Sequence, residues 1–184
     1  MREIEVKLRV HDLDALEKKL TESGLEISKE VTQDDTVYVP KDVLDPFSNV
    51  KVGDTFMRIR KQNGVNTLTL KQQRGVGLDK TEHETKIDNS EEMHQVLLLM
   101  GWKPVARVIK KRRKGSMGEY EVCLDEVEEL GNFVELEKMT DDNADPKMIR
   151  AELFETLKPF GLSEKDEETK GYDILIYPLQ NSRG

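Results

Sequence analysis

Short segments in which apolar and charged residues alternate recur along the chain and constrain its fold more than any other feature. In residues 3–8, glutamate and lysine at the odd positions alternate with isoleucine, valine and leucine at the even positions. Successive side chains of a β-strand point to opposite faces, so this pattern predicts a strand with one charged and one apolar face.

The same alternation predicts that most of the chain is sheet, with a few covering helices. Strands are predicted near residues 2–10, 34–39, 55–62, 66–74, 80–88, 104–114, 119–125 and 133–137. Helices are predicted at about 12–23, 90–100 and 145–160, because leucines and other apolar residues recur there at helical spacing. Ser90 is the predicted cap of the second helix, and Gly24, Gly101 and Gly161 are the predicted ends of the three helices.

Length and charge limit the class of protein. The 184 residues predict one domain, 1–184, that buries a core without disulfides, since Cys123 is the only cysteine. Neither a leader nor an apolar run of membrane length is recognisable, which predicts a cytoplasmic protein. The net charge of -8 argues against nucleic acid and anionic membranes as partners. An anionic substrate would therefore need locally clustered lysine and arginine.

The charged faces carry a repeated pairing of carboxylates. Glu-x-Glu occurs three times, at Glu3/Glu5, Glu82/Glu84 and Glu135/Glu137. Each face taken alone is equally consistent with an ordinary solvated strand. Two carboxylates on one strand face repel each other, however, and a divalent cation or neighbouring bases relieve the repulsion. With the nearby lysines and arginines, the pattern indicates a metal site for phosphate chemistry, with Mg²⁺ or Mn²⁺ as the cofactor.

The order of these motifs resembles that of the CYTH, or triphosphate tunnel, family, which includes class IV (CyaB-type) adenylyl cyclases and thiamine triphosphatase. Residues 3–7, Glu-Ile-Glu-Val-Lys, match its E-x-E-x-K signature, and the resemblance extends to Tyr172. The further matching segments are Arg58-Ile59-Arg60, Leu70-Lys71, Glu82-His83-Glu84, Lys110-Lys111-Arg112, Asp125 with Leu130–Glu137, and Lys170-Gly171-Tyr172.

The resemblance implies an α+β fold, an eight-stranded antiparallel closed β tunnel with helices packed outside. It implies metal ligands at Glu3, Glu5, Asp125, Glu135 and Glu137. It also implies substrate-binding residues at Lys7, Arg58, Arg60, Lys71, Glu82, Glu84, Lys110, Arg112 and Lys170. Of these, Lys7, Lys71 and Arg112 are the candidate catalytic residues.

Two positions leave alternatives open. In the basic run 110–114, a shift of one residue would turn Lys111 and Arg113 to the charged face in place of Lys110 and Arg112, and the residues beyond Arg112 also fit a solvated hairpin end. The family pattern often places a tyrosine two residues after an aspartate. Here Val37 follows Asp35 at that spacing, so Asp34 and Asp35 receive no role.

The resemblance implies an enzyme that acts on a triphosphate, but it leaves the reaction open. Residues 3–13 and the segment Met139-Thr140-Asp141-Asp142 look most like class IV cyclases, which convert ATP to cyclic AMP and pyrophosphate. Hydrolysis of inorganic triphosphate or thiamine triphosphate is the alternative reaction. A non-catalytic module that binds nucleotide or polyphosphate is the alternative from another class. Such a protein can be a monomer or a homodimer.

Overall fold

The computed structural model describes residues 2–48, 50–75, 80–141 and 143–182, so Asp142 of the cyclase-like segment lies outside the described residues. Its strands are β1 (Arg2–Arg9), β2 (Val31–Pro40), β3 (Thr55–Gln62), β4 (Val65–Gln73), β5 (Lys80–Ile87), β6 (Trp102–Met117), β7 (Tyr120–Val127) and β8 (Gly131–Thr140). Its α-helices are α1 (Leu13–Glu22), α2 (Ser90–Leu99), α3 (Pro146–Leu157) and α4 (Tyr172–Asn181). Two 3₁₀ turns, Lys158–Phe160 and Glu164–Asp166, lie between α3 and α4.

The strands form a closed barrel in the order β1-β5-β4-β3-β2-β6-β7-β8, which confirms the predicted fold class. By its internal contacts the chain divides into two compact units. The first contains the described residues within 1–31 and 110–170, and the second contains those within 32–76, 80–109 and 171–184. The single domain predicted over residues 1–184 stays a prediction.

In the first unit, β1, β8, β7 and the end of β6 are antiparallel neighbours in that order. One face of this sheet is apolar, and α1 and α3 pack on it. It consists of the even-numbered residues Ile4, Val6, Leu8, Val122, Leu124, Val134 and Leu136. The resulting core includes Val6, Leu124 and Leu136, all fully buried, together with Leu20 and Leu153 of the two helices. The odd-numbered, charged residues therefore lie on the opposite face of this sheet.

In the second unit, β2, β3, β4 and β5 are antiparallel neighbours in that order. Their apolar face includes Tyr38 and Ile59, which pack with Leu97 of α2 and with Trp102. The Tyr38 hydroxyl lies 2.8 Å from His94 Nδ1. Tyr38 therefore belongs to the core of this unit, while Val37 and Asp35 lie on the other face of β2.

The helix boundaries follow local signals. Asp12 and Asp145 cap α1 and α3 with their side chains, and Gly161 adopts a positive φ of 85° at the end of the turn after α3. The predicted cap of α2 was wrong by one residue, because the Asn89 side chain accepts from two backbone N–H groups and Ser90 is the first helical residue.

Helix α4 was missed in the sequence, where Pro178 interrupts the pattern. Among the described residues, none of the helices has the length and hydropathy needed to span a membrane.

Gly115 allows a neighbouring backbone segment, residues 26–28, to pair with β6 at close range. Ile27 and Gly115 form an isolated antiparallel bridge, and Ser28 N–H donates to the Lys114 carbonyl at 2.7 Å. A Cβ at residue 115 would lie 2.8 Å from Ile27 Cδ1 and 3.0 Å from the Glu26 carbonyl oxygen. The absence of a side chain at residue 115 therefore lets segment 26–28 lie this close to β6.

Candidate active site

The charged face of the first unit collects most of the predicted metal and phosphate ligands. We call it the carboxylate-rich face, and it consists of Glu3, Glu5, Lys7, Lys110, Arg112, Lys114, Glu121, Cys123, Asp125, Glu135 and Glu137. The register explains how they meet, because Glu5 and Glu121 both lie directly opposite Glu137, on its two neighbouring strands. Three carboxylates thus stand side by side on adjacent strands.

Glu5, Glu135 and Glu137 form the group best placed to hold a cation. One carboxylate oxygen from each lies within 4.8 Å of the other two. Three oxygens at this spacing match the ligands that Mg²⁺ and Mn²⁺ prefer, with water or phosphate oxygens left to complete the shell. Three of the five predicted metal ligands are therefore together, and the other two, Glu3 and Asp125, belong to no such group among the described residues.

The crowding of carboxylates changes the protonation of Glu137. Burial, followed by repulsion from Glu135, Glu5 and Glu3, raises the pKa of Glu137 from its ordinary 4.5 to about 9, although Arg112 opposes the shift. Without a cation, the group therefore retains a proton at neutral pH. A bound divalent ion would offset the repulsion among these carboxylates and so allow Glu137 to ionise.

Arg112 lies among the carboxylates at the centre of this face. Its Nε and Nη2 donate to the two oxygens of Asp125 at 2.6 and 2.5 Å, and Nη2 also donates to Glu135. Its Nη1 lies 4.0 Å from Glu137 Oε1, too far for a hydrogen bond. Burial alone would lower the pKa of Arg112, but Glu135 and Asp125 outweigh burial and raise it. The guanidinium is thus fixed in place and charged.

The ambiguity in the basic run of β6 is decided by burial. Lys110 is only 4% exposed, and its Nζ donates to Asp125 at 2.9 Å beside Arg112. Lys111 is exposed, whereas Arg113 pairs with Glu17 of α1 outside this face. Lys110 and Arg112 are therefore the pair on the carboxylate-rich face, although their part in binding substrate stays a prediction.

The side chain of Lys7 contacts the backbone of Lys170 and not its side chain. Lys7 is 1% exposed, and its Nζ donates to the backbone carbonyl of Lys170 at 2.5 Å. The side chain of Lys170 belongs to an exposed residue. Lys170 thus contributes its carbonyl to the orientation of Lys7, which the sequence motif did not predict.

The second unit carries a separate charged face, which we call the arginine-rich face. It consists of Asp35, Arg58, Arg60, Thr69, Lys71, Glu82 and Glu84. Arg60 donates to the two oxygens of Asp35 through Nε and Nη2, both at 2.7 Å, and Arg58 Nη1 lies 3.9 Å from the same carboxylate. Asp35 and Arg60 are direct cross-strand partners. Asp35, unassigned in the sequence, therefore anchors the predicted arginine strand.

The remaining residues of the arginine-rich face are also paired across strands. Thr69 donates to Glu84 at 2.9 Å and accepts from Arg58 at 3.1 Å, and Lys71 forms an ion pair with Glu82. Burial, then repulsion from Arg58, lowers the pKa of Lys71, while Glu82 opposes the shift. Glu82 and Glu84 thus act as counter-ions to the predicted phosphate-binding bases.

The site residues predicted from the sequence did not include Asp35, Thr69, Lys114, Glu121 or Cys123 of these faces. Asp35 received no role because the tyrosine, Tyr38, follows it by three residues and not by two. Thr69 is uncharged, so it was not a candidate for binding metal or phosphate. Glu121 and Lys114 form an ion pair at the edge of the carboxylate-rich face. Glu121 has the parity of Asp125 on the same strand, and this was the available signal for it. Lys114 has the parity of Lys110 and Arg112 on β6, so the same signal was available for it.

Known proteins of similar sequence cover almost the same length. A candidate adenylate cyclase of Methanocaldococcus jannaschii is 29% identical over 174 residues, 94% of this chain and 97% of that protein. Adenylate cyclase CyaB of Aeromonas hydrophila is 27% identical over 173 residues, 94% of this chain and 87% of that protein.

Solved structures share the fold. A conserved hypothetical protein of Pyrococcus furiosus superposes with a TM-score of 0.79 at 25% identity, covering 95% of this chain and 99% of that one. A Hippeastrum protein described as a candidate adenylyl cyclase with a dominant triphosphatase activity superposes with a TM-score of 0.65 at 19% identity, covering 98% and 96%. The CYTH domain family itself matches residues 1–172. The chain belongs to the CYTH domain family.

Proposed function

We propose that this protein is a metal-dependent enzyme that acts on the triphosphate of a nucleotide, and that its reaction is that of a class IV adenylate cyclase. The observation that carries the proposal is the group formed by Glu5, Glu135 and Glu137 beside the buried, charged Arg112. A protein that only bound polyphosphate would need the bases but not three crowded carboxylates, which cost stability unless a cation offsets them.

The residues have distinct parts in this proposal. Glu5, Glu135 and Glu137 hold a Mg²⁺ or Mn²⁺ ion, with Glu3 beside them, and the ion supplies neutralisation of charge on phosphate oxygens. Arg112 binds phosphate through Nη1, because Nε and Nη2 are occupied by Asp125 and Glu135. Asp125 therefore orients Arg112 and Lys110 and does not bind the ion directly.

The bases of the arginine-rich face, Arg58, Arg60 and Lys71, are assigned to phosphate by the resemblance to the family. Asp35 holds the fork of Arg60 from one side, which leaves one terminal nitrogen of its guanidinium outside that bidentate contact. Lys7 and Lys110, both buried, are the proposed phosphate-binding lysines of the carboxylate-rich face. Fixed cations of this kind stabilise the charge that develops on a triphosphate whichever phosphorus is attacked.

The cyclase is favoured over a triphosphatase by the names of two relatives of similar sequence, one named an adenylate cyclase and the other a candidate adenylate cyclase. Hydrolysis is the second candidate, and the dominant triphosphatase activity described for the Hippeastrum protein, which has the same fold, favours keeping it. The two reactions differ in the nucleophile, a ribose hydroxyl in the cyclase and water in the hydrolase.

The test is to incubate the protein with ATP, tripolyphosphate and thiamine triphosphate in Mg²⁺ and then Mn²⁺, and to separate the products. Cyclic AMP with pyrophosphate establishes the cyclase, whereas orthophosphate establishes a triphosphatase and its preferred substrate. Glu135→Gln should reduce turnover steeply, while Glu126→Gln, the same change at an exposed position of β7, should leave it unchanged. Equal rates for both variants would remove Glu135 from the metal site.

A further inference from the structure

An open pocket of about 590 Å³ adjoins the carboxylate-rich face within the first unit. Its lining includes Lys114, Ser116 and Glu121 of that sheet, and Glu26 and Ser28 of the segment that pairs with β6 at Gly115. Its volume falls in the range of small-molecule sites, about 300–1,000 Å³. None of the functions proposed above uses it.

The register places this pocket next to the metal-binding group. Glu121 lies directly opposite Glu137 on the neighbouring strand, and Ser116 lies directly opposite Glu121 on the next. Cross-strand neighbours of this kind have Cβ atoms about 5 Å apart. A substrate with its phosphates at Glu137 and Arg112 would therefore reach the pocket with the group attached to the phosphate chain.

The charge of the lining selects against phosphate. Glu121 is paired with Lys114, so the exposed carboxylate of Glu26 gives the pocket a net negative charge. An anionic end of a substrate would be repelled here and attracted by the bases around Arg112. The charges thus orient a triphosphate ester with its uncharged end in the pocket.

The hydrogen-bonding groups of the lining suit a sugar. Ser116 is exposed, and its hydroxyl makes no hydrogen bond to any residue that the structure describes. Glu121 offers carboxylate oxygens beside it, and no aromatic ring lines the described wall of the pocket. A hydroxyl group and a carboxylate side by side can bind the vicinal hydroxyl groups of a sugar. The aromatic cation of thiamine would instead need an aromatic ring to stack on.

We propose, on the basis of the proposed function, that this pocket binds the ribose of a nucleoside triphosphate, with Ser116 and Glu121 as the residues that contact its hydroxyl groups. The specificity of the site for a nucleotide over a bare triphosphate then resides in the residues around Ser116, outside the metal-binding group.

The experiment compares equilibrium binding of two unreactive probes in the presence of Mg²⁺. One is an ATP analogue with methylene groups in place of both bridging oxygens of the triphosphate, and the other is the corresponding methylene triphosphate without a nucleoside. The ATP analogue should bind more tightly. Ser116→Ala should weaken it by about 2- to 10-fold, the equivalent of one hydrogen bond, and should leave the sugar-free probe unchanged.

Two further measurements identify the partner of Ser116. The Ser116→Ala effect should disappear with the 2′,3′-dideoxy form of the ATP analogue, because the hydroxyl groups that Ser116 contacts are then missing. Ser116→Tyr should fill the pocket and abolish the advantage of the nucleotide over the sugar-free probe. Ser182→Ala, an exposed serine at the end of α4, is the matched control.

The outcomes separate the two proposals. If both probes bind equally and the variants of Ser116 affect neither or both, the ribose site is overturned while the triphosphate function stands. An effect of Ser116→Ala that persists with the dideoxy analogue also overturns it. If neither probe binds, the proposed function fails, and the ribose site fails with it.

Discussion

Arg112 and Asp125 face each other directly across β6 and β7 and form a two-pronged ion pair that is almost completely buried. The nitrogen to oxygen distances are 2.6 and 2.5 Å, and Asp125 has no solvent exposure. The carboxylate also accepts from Lys110, so one aspartate is the shared partner of two buried cations. Buried charges without a partner are far more costly than buried pairs.

Asp125→Asn should therefore destabilise the protein strongly. The substitution removes the negative charge between Arg112 and Lys110, which should lower the free energy of unfolding by about 3–5 kcal/mol. Urea unfolding followed by circular dichroism measures the change. Glu126→Gln on the same strand should change it by less than about 0.5 kcal/mol, and equal losses for the two variants would contradict the role of the buried pair.

Arg60→Lys should show that the fork of the guanidinium matters in the second unit. Lysine retains the charge but cannot donate twice in one plane to Asp35, so we expect a loss of about 1–2 kcal/mol in unfolding free energy. Arg107→Lys is the matched control, because Arg107 makes the same two contacts to Asp34, at 2.9 and 2.8 Å, with its side chain 59% exposed. That surface pair should contribute less than about 0.5 kcal/mol.

The raised pKa of Glu137 predicts how stability depends on pH when metal is removed. The unfolded chain has the ordinary value of 4.5, and the folded chain has about 9, so the folded state binds the extra proton between these two values. This contribution therefore makes the chelator-treated protein less stable as pH rises from about 5 to 9. Melting temperatures across that range should fall less steeply for Glu137→Gln, and parallel curves would contradict the prediction.

The same proton should leave when a divalent ion binds. At pH 7 Glu137 is protonated, whereas a metal ligand must be ionised, so Mg²⁺ or Mn²⁺ should displace about one proton per ion. Calorimetric titrations in two buffers with different ionisation enthalpies count the protons. The released proton should be absent in Glu137→Gln, and an unchanged proton count in that variant would assign the release to another group.

Gly115→Ala should loosen the contact between residues 26–28 and β6. The added Cβ would lie 2.8 Å from Ile27 Cδ1 and 3.0 Å from the Glu26 carbonyl oxygen, so segment 26–28 must move, at a cost of about 1–3 kcal/mol. Hydrogen exchange of the Ser28 amide, which donates to the Lys114 carbonyl, should accelerate. Ile27→Ala in the same chain should restore part of the stability, whereas the lack of any rescue would point to the Glu26 carbonyl oxygen, 3.0 Å from the added Cβ, as the obstacle.

The local sequence pattern predicted the positions of most of the strands. It did not predict which residues lie next to each other on neighbouring strands. The alternation in residues 3–8 predicts β1 and the face on which Glu5 and Lys7 lie. No local signal shows that Glu137 stands between Glu5 and Glu121, because cross-strand register depends on residues far apart in sequence. For the same reason the choice between Lys110 and Lys111 required the burial beside Asp125.

Cys123 lies in β7, between its neighbours β6 and β8, and has no solvent exposure. Burial, with Glu137 and Glu135 adding to it, raises the pKa of its thiol and keeps the sulfur in its unreactive protonated form. An alkylating reagent can therefore modify this thiol only while the sheet is open around residue 123. The rate at which the protein's single thiol is labelled should therefore report how often the strands that hold the carboxylates separate.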